Sequence, residues 1–238
     1  MIHNEQKDKF LSNEIFSNGA SFDIEGNDII LNRDDYLVHL AKNKSVLHLG
    51  FVDHLPLIDD KIKNASWLHK KLIDASSVCY GIDINQEGIE YLADQYQIDN
   101  LYCIDITSDI IPEAISSQKF DYMFIPDVIE HIGNPVNFLM AIKENFKGNV
   151  GKIILTTPNA FRWNNFMNSF KNKEVINTDH RFWFTPYTLS KIVSDAGYKI
   201  IDLKYVEHGR FSRREIIKKI ILKKYPLLRD TLIMEVEL

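Results

Sequence analysis

The sequence predicts an α/β fold with a doubly wound, mostly parallel sheet. Three apolar runs have the composition of buried strands and lie at 44 to 50, 78 to 83 and 120 to 126. They end in Gly50, in Asp83 and in Pro126 followed by Asp127. Helical patterns separate them, and alternating strands and helices form parallel sheets. Because such sheets bind ligands beyond the carboxyl ends of their strands, the three ends predict one crevice.

Each further element has its own signal. Residues 22 to 31 predict a hairpin that turns at Gly26-Asn27, because glycine and asparagine tolerate the positive φ of such turns. A helix over 33 to 42 leads into the first strand. An apolar face predicts one helix over 62 to 75, and its members are Ala65, Leu68, Leu72 and Ala75. Later elements are expected at 86 to 96, 100 to 105, 121 to 126, 135 to 147, 152 to 157 and 231 to 238.

Length and composition favour one domain in the cytoplasm. The chain has 238 residues, of which 45% are hydrophobic, enough for one core. Its net charge of -5 gives no overall attraction to nucleic acid, so we expect no nucleic-acid partner. Every apolar run is well short of the ~20 residues of a spanning helix, and nothing resembles a signal peptide. Cys79 and Cys103 lie in apolar strand patterns and are expected to be free, buried thiols.

The order of the motifs resembles the class I S-adenosylmethionine-dependent methyltransferases. The motifs are VLHLG (46 to 50), Asp83, YCIDIT (102 to 107), FDYMFIPDVIEHIGNP (120 to 135), ILTTPNAF (154 to 161) and HRFWFTPYTLSKIVSDAGYKI (180 to 200). They are most similar to the branch of ubiquinone-type O-methyltransferases and glycan-cluster methyltransferases. The resemblance implies a seven-stranded Rossmann-like sheet whose last strand is antiparallel. It also implies S-adenosylmethionine as cofactor and S-adenosylhomocysteine as product, in a domain of residues 44 to 238 that carries residues 1 to 43 as an N-terminal extension.

The same resemblance implies a set of cofactor-binding residues. Gly50 and Phe51 would form the loop after the first strand, and Asp83 would accept hydrogen bonds from the ribose hydroxyls. The remaining members are Asp105 at the adenine amino group, Ile84 and Ile106 against the ring, and Pro126 and Asp127 beside the methionine portion and the reacting methyl. Helix N-capping is the alternative role for Asp83 and Asp105.

The first loop departs from the family pattern of an acid and three alternating glycines. It reads His48-Leu49-Gly50-Phe51-Val52-Asp53-His54, with one glycine and a histidine in place of the acid. Asp53 is expected to pair with the ammonium group of the cofactor and so to replace lost backbone contacts. The alternative is a catalytically silent module that keeps the fold to bind a partner or glycan. An NAD-dependent enzyme is disfavoured, because the G-x-G-x-x-G fingerprint is missing.

Two histidines are candidates for the base that a hydroxyl acceptor requires. His131 directly follows the fourth strand, and His180 precedes the aromatic residues 182 to 184, which could wall an acceptor pocket. A capping or core histidine is the alternative for His131, and His48 is expected to belong to the core. No metal site is expected, because acids and histidines such as Glu130 and His131 match no compact ligand spacing. We therefore expect O-methylation of a small molecule or saccharide, in surface polysaccharide or glycan biosynthesis.

A basic insertion at 210 to 229 interrupts the otherwise acidic chain. Its basic residues are Arg213, Arg214, Lys218, Lys219, Lys223 and Lys224, which alternate with Ile216, Ile217, Ile220, Ile221 and Leu222. As a helix it is amphipathic, and we expect its apolar stripe to pack on the domain while its lysines stay solvated. The alternative is peripheral contact with an anionic membrane or a lipid-linked substrate.

Overall fold

The computed structural model describes residues 5–25, 29–209, 211–212 and 214–237. The strands are β1 (Ser45–Leu49), β2 (Val78–Asp83), β3 (Leu101–Cys103), β4 (Phe120–Pro126), β5 (Val150–Pro158), β6 (Lys199–Val206) and β7 (Thr231–Glu237). The helices are α1 (Glu5–Leu11), α2 (Arg33–Ala41), α3 (Leu55–Lys63), α4 (Leu68–Ala75), α5 (Gln86–Tyr96), α6 (Glu113–Ser116), α7 (Pro135–Phe146), α8 (Trp163–Ser169), α9 (Pro186–Asp195) and α10 (Ile216–Lys224).

Seven strands form one sheet in the order β3-β2-β1-β4-β5-β7-β6. Strands β1 to β5 pair in parallel, whereas β7 lies antiparallel between β5 and β6. The chain runs outward from β1 to β3 and then returns to the other side of β1 as β4. The switch point between β1 and β4 is where doubly wound sheets bind their ligands. The predicted Rossmann-like sheet with its antiparallel last strand is confirmed.

Helices bury both faces of the sheet, which explains why its central strands are continuously apolar. On one face, Leu139 of α7 and Leu189 of α9 are buried in a core cluster with Leu155 of β5. On the other face, Leu37 of α2 packs in a cluster with Val46 of β1. Helix α2 is thus part of the core, although it belongs to the predicted N-terminal extension. The division at residues 43 and 44 stays a prediction.

The helix predicted over 62 to 75 is wrong in its extent, because two helices, α3 and α4, occupy this region. Ala65, expected on the apolar face, is exposed in the connection and has a φ of 51°. Trp67 is 2% exposed, and its indole Nε1 donates a 3.1 Å hydrogen bond to the carbonyl oxygen of Phe51. Burial of this one large side chain sets the break, which periodicity alone does not reveal.

Of the two elements predicted before β1, the helix forms, whereas the described residues of the expected hairpin contain no strand. The turn of the expected hairpin, Gly26-Asn27, lies outside the described residues, and the described flanks 22–25 and 29–31 contain no strand. The helix expected over 33 to 42 is confirmed as α2, whose first turn is capped by Asn32 through a 3.1 Å hydrogen bond from the backbone N–H of Asp35.

Both cysteines are free thiols; Cys79 is buried as expected, but Cys103 is exposed at the end of β3.

The basic insertion forms helix α10, and the expected packing of its apolar stripe is only partly confirmed. Ile216, Ile217 and Ile220 are 64%, 75% and 64% exposed, whereas Leu222 is fully buried. Lys219, Lys223 and Lys224 are exposed on the same helix. Among the described helices, none combines the length and the apolar character needed to cross a membrane. Helix α10 therefore presents apolar and basic side chains to the surroundings.

Candidate active site

A crevice of about 1310 Å³ lies beyond the carboxyl ends of β1, β2 and β4. Its lining includes six of the nine predicted cofactor-binding residues and both predicted catalytic histidines: Gly50, Phe51, Asp53, Asp83, Pro126, Asp127, His131 and His180. The sheet switches direction at this place, so the topology brings together side chains that are far apart in sequence. The crevice is the candidate active site.

Gly50 begins the loop after β1 in a conformation that only glycine adopts without strain. Its φ is +74°, and a Cβ atom there would lie 2.3 Å from Cγ2 of Val128. Its backbone N–H also donates a 2.8 Å hydrogen bond to the carbonyl oxygen of Ile82. The single glycine that survives in this loop is therefore the one that the turn requires.

Asp83 ends β2 with its carboxylate held at the crevice. One carboxylate oxygen accepts a 2.8 Å hydrogen bond from the backbone N–H of Val52, and the other accepts a 3.0 Å bond from that of Asn85. Burial raises the pKa of Asp83, although these backbone hydrogen bonds oppose the rise. Each oxygen keeps capacity to accept a further bond from a ligand hydroxyl.

The three residues assigned to the adenine, Asp105, Ile84 and Ile106, lie outside the lining of this crevice. Asp105 is exposed and accepts hydrogen bonds of 2.8 and 2.6 Å from the backbone N–H and the hydroxyl of Thr107. Ile84 is 74% exposed just after β2, and Ile106 is 4% exposed within the core. Asp105 therefore makes a local turn contact rather than capping a helix, and the structure does not bring these three residues into the crevice lining.

Asp53 in the first loop already has a cationic partner. Its carboxylate forms an ion pair with Lys61 of α3 and accepts a 2.9 Å hydrogen bond from the backbone N–H of His54. Any ammonium group that approaches Asp53 has to share this carboxylate with Lys61. His48, by contrast, is a core residue as expected: it is 2% exposed, and its Nδ1 lies 3.0 Å from Nδ1 of His69.

Arg33 is a crevice residue that the sequence analysis missed. It lies at the start of α2, and its side chain is 7% exposed between the carboxylates of Asp34 and Asp127. Burial disfavours the charge, but these two carboxylates outweigh it and raise the pKa of Arg33. Lys71 of α4 pairs with Asp34 at 2.8 Å and extends the network. No sequence pattern links Arg33 to Asp127, because 94 residues separate the partners.

Asp127 is held rigidly after β4 by contacts with β5. It has a φ of 52°, unusual for a residue other than glycine, and its carboxylate accepts a 2.9 Å hydrogen bond from the hydroxyl of Thr156. No α-helix follows Asp127 directly, since only a 3₁₀ turn (Ile129–His131) lies there. The tight turn instead directs Glu130 and His131 toward the crevice lining.

Glu130, His131 and His180 form a compact cluster in the crevice. One potential ligand atom of each lies within 4.8 Å of the others. The Glu130 carboxylate accepts a 3.0 Å hydrogen bond from the Thr157 hydroxyl through Oε2, while Oε1 lies 4.0 Å from Nε2 of His180. The two imidazole rings meet edge to face, with centroids 4.7 Å apart. The backbone N–H of Arg181 donates a 2.8 Å bond to the Glu130 carbonyl oxygen and so fixes this approach.

Burial changes the ionisation of this cluster. It raises the pKa of Glu130 to about 8, and the charge of Asp127 adds to the rise. Burial also lowers the pKa of His180, and His131 contributes in the same direction. Within the described residues, Glu130 Oε1 and His180 Nδ1 are buried without a hydrogen-bond partner. Buried polar atoms that lack a partner are uncommon and call for an explanation.

The aromatic run after His180 only partly forms the expected wall. The ring centroids of Trp183 and His180 lie 6.1 Å apart in an edge-to-face arrangement. The guanidinium carbon of Arg162 lies over the Trp183 ring, 4.7 Å from the centroid of that ring. Phe184 is 4% exposed in the core, and Phe182 is 39% exposed. None of the three belongs to the described crevice lining, and of the three it is Trp183 that contacts His180 and Arg162.

The solved structures to which this fold is similar include methyltransferases. The small RNA methyltransferase HEN1 superposes with a TM-score of 0.57 at 17% identity over 92% of this chain, which spans 27% of that chain. A methyltransferase from Clostridium acetobutylicum gives 0.54 at 11% identity, covering 91% of this chain and 93% of that one. Magnesium protoporphyrin IX methyltransferase from Synechocystis, with bound S-adenosylhomocysteine, gives 0.51 at 14% identity, covering 85% and 80%. At these identities the similarity shows the fold alone.

Family membership comes from the sequence itself. No curated protein sequence matches this chain. Residues 63–203, more than half of the chain, match the family described as the methyltransferase domain. One of the similar structures acts on RNA according to its description, so the absence of a nucleic-acid partner stays a prediction. The chain belongs to the methyltransferase domain family and is an S-adenosylmethionine-dependent methyltransferase, with S-adenosylhomocysteine as its product.

Proposed function

We propose that the chain transfers the methyl group of S-adenosylmethionine to an oxygen atom of a small molecule or saccharide. The observation that supports this most is the position of His131 and His180 beside Asp127, which the family resemblance assigns to the reacting methyl. Transfer from a sulfonium depends chiefly on in-line placement, which is worth ~7 to 11 kcal/mol. A hydroxyl acceptor has to lose its proton as well, and nearby imidazoles serve that need. His131 and His180 are the proposed catalytic residues.

The cofactor is proposed to lie across the switch point of the sheet. Asp83 would bind the ribose hydroxyls, since its oxygens are already oriented by two backbone N–H groups. Gly50 and Phe51 would follow the cofactor backbone, and Pro126 and Asp127 would border the methionine portion. The adenine would leave the crevice over the exposed Ile84, with Asp105 and Ile106 behind it. Asp53 would bind the ammonium group of the cofactor while it keeps its ion pair with Lys61.

Arg33 extends this proposal to the carboxylate of the methionine portion. It is the buried cation of the crevice network, and it lies beside Asp127 at the end of β4. A guanidinium offers five N–H donors, so Arg33 has donors for a ligand carboxylate besides those that bind Asp34 and Asp127. The ammonium and carboxylate of the cofactor would then be held by loop and helix residues rather than by the missing glycines.

Product analysis with variant enzymes tests the O-methylation proposal. Wild-type protein is incubated with S-adenosylmethionine and a panel of hydroxylated saccharides and phenols, and the attached methyl is located by NMR. We expect an O-methyl product, and we expect His131→Ala and His180→Ala to lower kcat at least ~100-fold while changing cofactor affinity little. His39→Ala, at an exposed position of α2, is the matched control and should retain full activity. A methyl on nitrogen or carbon, or full activity in both variants, would contradict the proposal.

A further inference from the structure

We propose that Glu130, His131 and His180 bind one divalent transition-metal ion on the acceptor side of the crevice. One carboxylate and two imidazoles provide three ligands of the types that zinc, manganese and iron accept. Magnesium and calcium prefer sites made of oxygen ligands alone, so this set disfavours them. The cluster leaves the side toward the crevice open, which is the arrangement of metal sites that take up a substrate oxygen.

The distances in the cluster are suited to one shared ion. Two ligands that are each about 2.1 Å from an ion lie at most about 4.2 Å apart. Glu130 Oε1 and His180 Nε2 are 4.0 Å apart, and the three ligand atoms together lie within 4.8 Å. A small side-chain movement, with the backbone unchanged, closes the remaining gap. The ligand atoms are thus placed for an ion before it arrives.

The surroundings of the cluster also point to a cation. Glu130 is fully buried, and its Oε1 has no hydrogen-bond partner among the described residues. Its other oxygen accepts the hydrogen bond from Thr157, which orients the carboxylate in the manner of residues that support metal ligands. The guanidinium of Arg33 is paired with Asp34 and Asp127 and makes no hydrogen bond to the buried Oε1 of Glu130. A divalent ion would satisfy this buried oxygen and permit the carboxylate to be charged.

The ion gives the two histidines a defined role, and this part rests on the proposed O-methylation. The acceptor hydroxyl would occupy the open position, where the ion lowers the pKa of that hydroxyl. The O–H bond of the acceptor breaks, and its proton is released to water at the open side of the crevice. The acceptor oxygen then forms a bond to the methyl carbon. The C–S bond of the sulfonium breaks at the same time and leaves a neutral thioether. With the ion bound, His131 and His180 would hold the ion beside the hydroxyl, and water would replace them as the acceptor of the proton that the proposed function assigns to an imidazole.

Titration with Mn²⁺, followed by the loss of the free-ion signal in electron paramagnetic resonance, tests the site without any acceptor. Protein freed of metal by a chelator should bind one Mn²⁺ per chain; Zn²⁺ should displace it and Mg²⁺ should not. Glu130→Gln, His131→Asn and His180→Asn should each weaken binding at least ~10-fold. Thr157→Val should weaken it less, and the exposed His39→Asn should bind as wild type. Retained binding of S-adenosylhomocysteine in every variant verifies the fold.

The outcomes separate this inference from the proposed function. Absence of Mn²⁺ binding at millimolar concentration, or equal binding by wild type and the Glu130 and His180 variants, would overturn the metal site. Chelator-resistant O-methylation without Mn²⁺ binding would also overturn it, while leaving O-methylation intact. Mn²⁺ binding that depends on Glu130 and His180 supports the site even where the methylated atom proves not to be oxygen.

Discussion

The buried guanidinium of Arg33 is paired with the carboxylate of Asp127 and so connects the first helix of the core to the end of β4. Asp127 is in turn bonded to Thr156 of β5, and Arg33 also binds Asp34. The N-terminal region therefore helps to build the crevice, because one wall of it comes from α2. In the proposed site, this pair would place a buried cation and a carboxylate next to the methionine portion of the cofactor.

Removal of Arg33 tests the strength of this connection. Arg33→Met removes a buried cation, leaves the half-buried Asp127 without its ion pair and leaves Asp34 with Lys71 alone, so we expect the free energy of unfolding to fall by about 3 kcal/mol, measured by urea denaturation. Lys70→Met breaks an exposed pair with Asp74 and should cost at most about 1 kcal/mol. If Arg33→Met is as stable as Lys70→Met, the Arg33 network does not hold α2 in place.

Glu207 gives the protein a defined loss of stability with rising pH. Burial, together with the charge of Asp230, raises the pKa of the Glu207 carboxyl to about 7, from 4.5 for an ordinary glutamate. The unfolded chain ionises first, so the stability that this group contributes is full below pH ~4.5 and is lost as the pH rises to ~7. Glu207→Gln should therefore flatten the pH dependence, so that the difference in the free energy of unfolding between wild type and variant changes by about 3 kcal/mol across this range.

Urea denaturation at several pH values measures this difference. Glu207 Oε1 accepts a 3.0 Å hydrogen bond from the backbone N–H of Asp230, and a glutamine oxygen can accept the same bond. The exposed Glu90→Gln is the control and should follow the wild-type curve. A Glu207→Gln curve parallel to that of the wild type would show that burial does not shift the carboxyl as described.

Much of the fold could be predicted from the sequence, because its signals are local. Uninterrupted apolar runs such as Ile153 to Leu155 indicate strands covered on both faces, and their alternation with helices indicates a parallel sheet. The carboxyl-end positions of Gly50, Asp83 and Asp127 followed from the same pattern. Cys103 and the break before Trp67 could not be foreseen, since they depend on where the chain ends up in space rather than on local periodicity.

The sequence predicted those residues of the candidate site that directly follow a single strand, but not the contacts between distant segments. Glu130 and His180 meet because backbone N–H groups of residues 181 and 182 donate to the Glu130 carbonyl oxygen, a contact between segments fifty residues apart. Arg33 reaches Asp127 over an even longer separation. Ligand spacing along the sequence therefore gave no indication of the cluster. The compact three-ligand arrangement exists only in the folded chain, because the sheet brings the end of β4 and the residues after β5 together.

Helix α10 is proposed to make peripheral contact with an anionic membrane or lipid-linked acceptor. Exposed Ile217 and Ile220 lie on the same short helix as exposed Lys219, Lys223 and Lys224, a combination suited to an anionic interface. Each basic residue adds ~1 kcal/mol near such a surface, and salt weakens the attraction. We expect wild-type protein to sediment with anionic vesicles at low salt but not at high salt. Neutral vesicles are the control.

Two variants separate the apolar and electrostatic contributions of α10. Replacement of the three lysines by glutamine should abolish sedimentation with anionic vesicles, and Ile217→Asn with Ile220→Asn should reduce it. Both variants should bind S-adenosylhomocysteine as the wild type does. Absence of wild-type sedimentation at low salt would mean that this helix faces solvent or a protein partner instead of a membrane.

Calorimetric titration of S-adenosylhomocysteine into wild-type protein and into Asp83→Ala tests most directly whether this crevice is the cofactor site. We expect one site per chain in the wild type and at least ~10-fold weaker binding in the variant, because each lost hydrogen bond to a charged group is worth ~1.5 to 3 kcal/mol. Asp99→Ala, at an exposed position, should bind as the wild type. Binding that is indifferent to Asp83 would place the cofactor elsewhere, and no binding by the wild type at high ligand concentration would contradict the account.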